Sequence, residues 1–373
     1  MMITDAATPE LGVVIGCDAD PDRPRYGGTR YDSFDSLRWR GLSEGIAHAR
    51  MIADEFADAS GKPLRITWCI RADAQIEDIY GCAGWCHGQF AEAWEQLEAT
   101  GDELAWHPHL WRWDDGDGYW YQEIEDVGWI EDCLTRGHHA LAQGLRRSPR
   151  TSRMGWEFHN NASMNVMRKL KVAVDFSAIP GRFTPGGPDR YGSDFLCHID
   201  WRGTPEEPYV PSYFDYRQPA GDGEGELVEL PMSVFRSPAL SAIAALRRIP
   251  RRPLSESVSE LSHLSEPLKA YITGHPYVFG KLAASRIAAA RSQQRALLVT
   301  AFHPDELLSD HAGMANSGEH FRTNVTRLVD LARRREVHLR FLNAAEALDF
   351  ITEGGAAAER RQYEVPPARE QLS

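Results

Sequence analysis

Several polar residues have types and spacings that suit hydrolytic chemistry. The segment GCDADPD places Asp18 two residues before Asp20, and the segment WHPHLW places His107 two residues before His109. Residues at i and i+2 of an extended segment point to the same side. One aspartate with two histidines is a common ligand set for a divalent metal with positions left open for water, and a second carboxylate can take a proton from that water. The pattern therefore indicates metal-assisted hydrolysis.

Each of these features also has a structural interpretation. An Asp-rich segment after a strand is typical of a turn or a helix cap, and backbone carbonyls can satisfy the two histidines. Arg153 suits a surface ion pair, and His303 suits the end of a core strand. Arg153, Asp175 and His303 all fall at the ends of predicted strands, as do the Asp and His pairs. This shared position in the topology favours one common site.

An alternation of strands and helices must position these residues. Short apolar runs such as residues 11–17 and 296–302 predict buried strands, and residues 127–145 and 318–334 have helical spacing. Polar residues directly follow the strands, which is typical of a parallel sheet whose functional edge is its carboxyl end. The sequence therefore predicts an α/β fold, and the closed form of such a sheet is a barrel.

The domain organisation is expected to be simple. Residues 1–353 are predicted to form one barrel domain with insertions at about 180–225 and about 239–295. The first insertion is rich in Gly, Pro, Asp and Tyr, which is typical of long loops around a cleft. The second is mostly helical in pattern, and a lid, a dimer surface and barrel helices remain open for it, as does a homo-oligomeric state. Residues 354–373 are expected to be a disordered tail.

Composition excludes several classes of partner. The chain has 41 Lys+Arg against 54 Asp+Glu, a formal net charge of −13, which argues against nucleic-acid binding. It contains no apolar run of about 18 residues, so no membrane span is expected. The first ten residues do not read as a secretory signal, and a cytoplasmic location is expected. Six cysteines are too sparse for a disulfide scaffold and are expected to stay reduced.

The ordered motifs resemble those of a known family. The chain is similar to the polysaccharide deacetylase superfamily, also called the NodB-homology or carbohydrate esterase family 4 group. The matching segments, from about residue 11 to about residue 350, are GCDADPD (16–22), ELAWHPHLW (103–111), SRMGW (152–156), VDFSAIPG (174–181) and FHPDEL (302–307). The resemblance implies a distorted, NodB-like (β/α)7 barrel with loop and helical insertions and a site at the carboxyl ends of its strands.

The resemblance also implies a metal site. Asp20 corresponds to the metal-binding aspartate of members that write the first motif Asp-x-Asp, and His107 corresponds to the first metal histidine. The second metal histidine of the family lies four residues further on, where this chain has Trp111. The resemblance therefore implies that His109 takes this role through its i+2 spacing. The implied cofactor is a divalent metal, with zinc expected.

Further roles follow from the same motifs. The catalytic base, the arginine that orients it, the aspartate that tunes the acid and the catalytic acid correspond, in that order, to Asp18, Arg153, Asp175 and His303. The residues expected to bind substrate are Trp111, Trp156 and Asp22.

Together these features predict a metal-dependent hydrolase that removes an N-acetyl or other acyl group from an amino sugar or small glycan. Two alternatives stay open. One is a metal-free relative that opens a cyclic amide or imide, and the other is a carbohydrate-binding protein on the same scaffold without catalysis. The presence of Asp18, Asp20, Arg153 and His303 favours an enzyme.

Overall fold

The structure is a computed structural model of the chain. It describes residues 8–22, 36–188, 195–221, 225–237, 239–240, 267–308 and 316–354. The expected tail at 354–373 lies outside the described residues except for its first residue, and so does most of the first half of the insertion expected at 239–295. The assignment of one domain to residues 1–353 stays a prediction.

Parallel strands form the centre of the molecule. The strands are β1 Glu10–Ala19, β2 Thr67–Arg71, β3 Glu103–His107, β4 Trp111–Asp114, β5 Tyr119–Gln122, β6 Thr151–Ser152, β7 Val174–Asp175, β8 Phe183–Thr184, β9 Gly187–Pro188, β10 Phe195–Leu196, β11 Ile199–Asp200, β12 Val228–Glu229, β13 Val234–Phe235, β14 Leu268–Lys269, β15 Arg295–Phe302 and β16 His338–Leu342. The main sheet has the order β12-β7-β6-β3-β2-β1-β15, and all of its pairs are parallel. β16 pairs with the first half of β1, and β2 pairs with the second half of the same strand.

The two ends of this sheet are linked. The chain leaves β12 and reaches the open side of β15, where the backbone N–H of Ser233 donates to the carbonyl of Val299 at 2.9 Å. The Ser233 hydroxyl accepts from the Val299 N–H at the same distance, and Ile272 donates to the carbonyl of Ala301 at 3.2 Å. The sheet is therefore curled into a distorted barrel, which confirms the predicted α/β barrel class.

Helices cover the outside of the sheet. They are Ile46–Ala53, Ala74–Tyr80, Trp85–Gln89, Ala91–Ala99, Val127–Leu145, Asn161–Lys169, Pro276–Gln293, Gly318–Arg334 and Ala344–Gly354, with a π-helical turn at Gly41–Gly45 and 3-10 turns at Gly155–Glu157 and Pro304–Leu307. The helix Gly318–Arg334 shows why they form. Ser317 caps its first turn, and Phe321, Val325 and Leu328 recur at helical spacing and are buried. Burying each such side chain contributes about 1.5–3 kcal/mol.

The topology brings the predicted site residues to one edge. Asp18 lies near the carboxyl end of β1, His107 ends β3 and Asp175 ends β7. Arg153 and His303 directly follow β6 and β15. Because all these strands are parallel in one curled sheet, their carboxyl ends face the same side. None of the described helices is both long enough and apolar enough to cross a membrane.

Candidate metal and catalytic site

Asp20, His107 and His109 meet at the carboxyl edge of the sheet. One ligand atom from each lies within 4.8 Å of the others. Nε2 of His107 is 3.4 Å from one carboxylate oxygen of Asp20, and Nε2 of His109 is 3.3 Å from the other oxygen. The two Nε2 atoms are 3.2 Å apart. The expected i+2 pair of histidines therefore does converge on the aspartate.

The hydrogen bonds of the histidines fit a cation. Nδ1 of His107 lies 2.6 Å from the carbonyl oxygen of Arg153, and a carbonyl can only accept, so this nitrogen donates. The Nε2 lone pair of His107 is therefore directed at the cluster. Nδ1 of His109 is buried without a hydrogen-bond partner among the described residues. Two imidazoles and one carboxylate directed at the same point form a donor set that suits zinc or a similar divalent metal.

Charges around the cluster keep Asp20 and His109 in ligand form. Burial opposes ionisation of Asp20, but His109, His107 and Arg71 together hold its pKa well below the usual range. Burial and the nearby Arg71 lower the pKa of His109 to about 4, so this imidazole is neutral at neutral pH. Nη1 of Arg71 donates to Oδ1 of Asp20 at 2.9 Å, and its Nε donates to Asp73. Arg71 therefore fixes the carboxylate through Oδ1, while Oδ2 faces Nε2 of His107.

Gly155 fixes the ring of His109 from behind. A Cβ atom on residue 155 would lie 2.1 Å from Cδ2 of His109, closer than any two such atoms can approach. The backbone N–H of His109 donates to Asp73 at 3.0 Å, which fixes the main chain of this residue. The ring packs directly against residue 155, so a glycine is required there.

The substitution Gly155→Ala is expected to weaken metal binding by about 10- to 100-fold, because the new methyl group displaces the His109 ring. Competition with a chromophoric chelator measures this change. Gly88→Ala is the matched control, since a Cβ at Gly88 meets nothing within 4 Å. An unchanged metal affinity in Gly155→Ala would show that His109 is not a ligand.

Asp18 lies beside this cluster and pairs with Arg153. Nε of Arg153 donates to Oδ1 of Asp18 at 2.7 Å, and Nη1 donates to the carbonyl of Phe176 at 2.6 Å. Asp18 and Arg153 are 5% and 0% exposed. Burial would raise the pKa of Asp18, but Arg153, His107 and His303 outweigh it and lower this pKa. Asp18 is thus an ionised carboxylate positioned to accept a proton.

His303 faces the other oxygen of Asp18, with Nε2 3.7 Å from Oδ2. Its Nδ1 lies 3.6 Å from Oε1 of Glu306, three residues further along the chain. Glu306 is 3% exposed and is held by Thr273, whose hydroxyl donates at 2.5 Å, and by Asn316, whose amide donates at 2.9 Å. The carboxyl group beside the ring of His303 therefore belongs to Glu306.

This arrangement corrects the role expected for Asp175. Its carboxylate accepts from the Ser152 hydroxyl at 2.5 Å and lies 3.3 Å from Nε2 of His159. It forms no hydrogen bond or ion pair with His303 within the described part of the chain. The physical reason is that Ser152, His159 and Glu229 already occupy this carboxylate. Asp175 instead holds the segment that precedes Arg153.

Asp175 also shares a buried pocket of carboxyl groups with Glu229. Burial raises the pKa of Asp175, but His159 and hydrogen bonds with His159, Glu229 and Ser152 lower it to about 2. Burial and the charge of Asp175 raise the pKa of Glu229 well above its usual range. Oε1 of Glu229 also accepts from the backbone N–H of Ala178 at 2.8 Å, so the pair supports the loop after β7.

Replacing Glu306 by Gln is expected to lower kcat by about 10- to 100-fold, because His303 loses a charge-assisted contact on the side away from the reaction. KM and bound metal are expected to stay near the wild-type values, which separates this positioning role from binding. Asp175→Asn is the matched comparison, and we expect it to reduce stability more than kcat. Equal kcat in Glu306→Gln and wild type would contradict the assignment.

The residues expected to bind substrate differ in their exposure and contacts. Trp156 is partly exposed, and its ring centre lies 6.3 Å from that of Trp111 at 85°. Trp111 is only 2% exposed, packs with Trp120 in the hairpin of β4 and β5, and so supports Trp156 from behind rather than lining a cleft itself. Trp156 and Glu157 both have left-handed backbone angles, with φ of 55° and 59°. Such angles cost free energy in residues with a Cβ and are kept where the surroundings impose them.

Asp22 has a structural role. Its Oδ1 accepts from the backbone N–H of Gly41 at 2.6 Å, and its Oδ2 accepts from that of Arg40 at 3.1 Å. Backbone N–H groups at the start of a helical segment have no acceptor within the helix. Asp22 supplies that acceptor and is therefore a cap rather than the expected substrate ligand. The helix-cap alternative for the Asp-rich segment thus applies to Asp22 and not to Asp18 or Asp20.

Sequence reasoning missed Arg71 and Glu306. Arg71 is the last residue of β2, so the same rule that found His107 at the end of β3 could have found it. Glu306 lies three residues after His303 in a turn of 3-10 helix, and that spacing is the signal for their contact.

Comparison with known proteins finds matches among solved structures. No protein-family model and no curated protein matches this chain. A provisionally named polysaccharide deacetylase from Mycobacterium smegmatis is 15% identical, with a TM-score of 0.49, and the match covers 94% of this chain and 93% of the other. A provisionally named glycoside hydrolase/deacetylase from Parabacteroides distasonis is 12% identical, with a TM-score of 0.46 and coverage of 92% and 71%. A family 4 carbohydrate esterase from Streptomyces lividans, solved with acetate, is 11% identical, with a TM-score of 0.25 and coverage of 46% and 62%.

Proposed function

We propose that this chain is a metal-dependent hydrolase that removes an N-acetyl or related acyl group from an amino sugar or small glycan. One observation supports it above the others. The ionised carboxylate of Asp18 lies 3.7 Å from Nε2 of His303, at the sheet edge where Asp20, His107 and His109 bring together atoms that could hold a metal. This grouping supports a base, a ligand set and an acid that act on one substrate. The choice of an N-acetylated sugar rests on the sequence motifs.

The roles that we propose agree with this geometry. A divalent metal held by Asp20, His107 and His109 would supply a Lewis acid that makes water a better nucleophile and polarises an acyl carbonyl. Asp18 removes a proton from the attacking water, and Arg153 keeps Asp18 ionised for that task.

Amide cleavage also needs a proton for the leaving nitrogen, because an amine anion is a very poor leaving group. His303 can supply this proton from Nε2, the ring nitrogen that faces Asp18. The carboxyl group of Glu306, 3.6 Å from Nδ1, contacts the other side of the ring and helps to orient it. Asp18 and His303 therefore act on opposite steps of one hydrolysis.

Purified protein tests the proposal directly. We expect bound zinc or a similar divalent metal, release of acetate from N-acetylated amino sugars, loss of this activity with a chelator and its return with added metal. Protein that binds no metal and releases no acetate from any amide would refute it. Protein that binds metal but releases no acetate would favour a carbohydrate-binding role instead.

One observation favours a second candidate, a metal-free hydrolase of cyclic amides or imides. Arg71 already donates to Asp20 at 2.9 Å and so supplies a positive charge to the residue that would otherwise need a metal. This candidate predicts that ring opening of a cyclic amide survives exhaustive chelation. The metal-dependent enzyme predicts that it does not.

A further inference from the structure

Two cationic side chains, Arg182 and Lys269, come from neighbouring segments next to the site. Gly181 has a left-handed φ of 81°, and a Cβ at this position would lie 2.8 Å from Cδ of Pro267. The backbone before Arg182 is thus packed directly against the residue that precedes β14, in which Lys269 lies. This close approach requires glycine at 181 and sets the two cations side by side.

Trp201 fixes this pair relative to the catalytic residues. Its backbone N–H donates to the carbonyl of Arg182 at 2.8 Å, and its indole N–H donates to the carbonyl of Glu157 at 2.7 Å. Trp201 is 0% exposed. Since the side chain of Glu157 lies 3.3 Å from Arg153, the bridge by Trp201 ties Arg182 to the arginine that orients Asp18.

Lys269 is fully engaged in this network. Its ammonium group donates to both oxygens of Glu157, at 2.6 and 2.8 Å, and to the hydroxyl of Tyr271 at 2.7 Å. The ring of Tyr271 has its centre 6.2 Å from that of His303. Lys269 therefore has no N–H left for a ligand and contributes only its charge, at a short distance from the proposed acid.

Arg182 differs from Lys269 because its guanidinium has a donor that no acceptor uses. Its Nε is buried without a hydrogen-bond partner among the described residues. An unsatisfied buried donor is destabilising, so this arrangement is unfavourable without a ligand. The contact between Gly181 and Pro267 brings the backbone of Arg182 next to the strand that carries Lys269.

The side chain of Arg182 has no ion-pair partner among the described residues. Arg153 and Lys269 instead share Asp18 and Glu157. We infer that the substrate carries an anionic group, a carboxylate or a phosphate, that binds the guanidinium of Arg182 close to the leaving-group side of the reaction. Calling the bound anion part of a substrate rests on the proposed function, whereas the anion site itself does not depend on it.

Binding of simple anions tests the site without any catalysis. The probes are inorganic phosphate and acetate, compared with chloride at equal ionic strength, and the readout is the dissociation constant from titration of chelator-treated protein. We expect wild type to bind at least one probe about tenfold more tightly than Arg182→Met does, which corresponds to one charge-assisted hydrogen bond. Arg182→Lys keeps the charge and is expected to bind with intermediate affinity. Both variants are checked for fold by circular dichroism.

Arg202→Met is the matched control. Arg202 lies close to Arg182, with its guanidinium 3.9 Å from the ring centre of Phe183, but it is 57% exposed and already donates twice to Asp200. The substitution Arg202→Met removes one positive charge from the same region but removes no unpaired hydrogen-bond donor. We expect anion binding like that of wild type. An equal loss of anion affinity in Arg182→Met and Arg202→Met would indicate a diffuse charge effect and would overturn the inference. Wild-type protein that binds no probe more tightly than chloride would also overturn it.

Matched amides then identify the anion and separate the two proposals. N-acetylglucosamine is compared with N-acetylmuramic acid, which adds a carboxylate, and with N-acetylglucosamine 6-phosphate and 1-phosphate. We expect kcat/KM to be about tenfold higher for one anionic amide than for the neutral one, and this ratio to fall to about one in Arg182→Met. Anion binding that depends on Arg182 with no hydrolysis of any amide would support the site and refute the proposed function. Hydrolysis with the same ratio in wild type and Arg182→Met would support the function and overturn the inference.

Discussion

Replacing Asp18 by Asn is expected to lower kcat for acetate release by about 10²- to 10⁴-fold, the usual contribution of a positioned general base. Asparagine keeps the size of the side chain and an oxygen that accepts from Arg153, but it cannot take a proton from water. Asp18 is not one of the three residues whose ligand atoms converge, so the metal content of Asp18→Asn is expected to match that of wild type. Acetate release and elemental analysis measure the two effects on the same sample.

Asp20→Asn is the matched control for this prediction, because it makes the same chemical change two residues away. Asp20 faces both Nε2 atoms, and its carboxylate is held ionised by its neighbours, so we expect this variant to lose metal and activity together. If Asp18→Asn also lost the metal, Asp18 would be a ligand and not the base. If Asp18→Asn kept full activity, the carboxylate of Asp18 would have no part in the reaction.

The fold was largely predictable because its elements have strong local signals. The helices at Val127–Leu145 and Gly318–Arg334 have the predicted bounds, since each combines an apolar stripe with a side-chain cap, Asp126 in one and Ser317 in the other. The hairpin of β4 and β5 was missed. Its residues are mostly aromatic, and such a stretch suits a loop around a cleft as well as a hairpin. The residue types alone do not distinguish the loop from the hairpin.

The positions of the site residues were also predictable, but their pairings were not. In a parallel sheet the end of each strand fixes the edge to which a residue goes, so Asp20, His107 and His109 could be expected together. Whether His303 pairs with Asp175 or Glu306 depends on distances across the barrel, which strand order alone does not determine. The burial of Trp111 is a similar case, because it depends on how the hairpin packs.

Arg153 connects the two halves of the site. Its carbonyl oxygen accepts from Nδ1 of His107 and so orients the ring of a proposed metal ligand, and its guanidinium pairs with Asp18. Its backbone N–H donates to the carbonyl of Trp106 at 2.9 Å, which anchors it to β3. A change in the position of this one residue would therefore disturb both the ligand set and the base.

Removal of the Arg153 side chain is consequently expected to be severe. Arg153→Met leaves the buried carboxylates of Asp18 and Glu157 without a shared cation and the Phe176 carbonyl without its donor. Breaking a buried ion pair on one side typically costs about 3–5 kcal/mol, and we expect the free energy of unfolding to fall by this amount. Denaturant titration followed by circular dichroism measures it.

The double variant Arg153→Met/Asp18→Asn separates loss of charge balance from loss of packing. Most of the cost of Arg153→Met arises because Asp18 remains ionised in a site that no longer compensates it, whereas the asparagine that replaces Asp18 in the double variant carries no charge. We therefore expect the double variant to be more stable than Arg153→Met alone, with a coupling energy of about 1–3 kcal/mol. Strictly additive losses would show that the guanidinium contributes packing rather than charge. In that case Arg153 could not be what keeps Asp18 ionised, and another cation would have to fill that role.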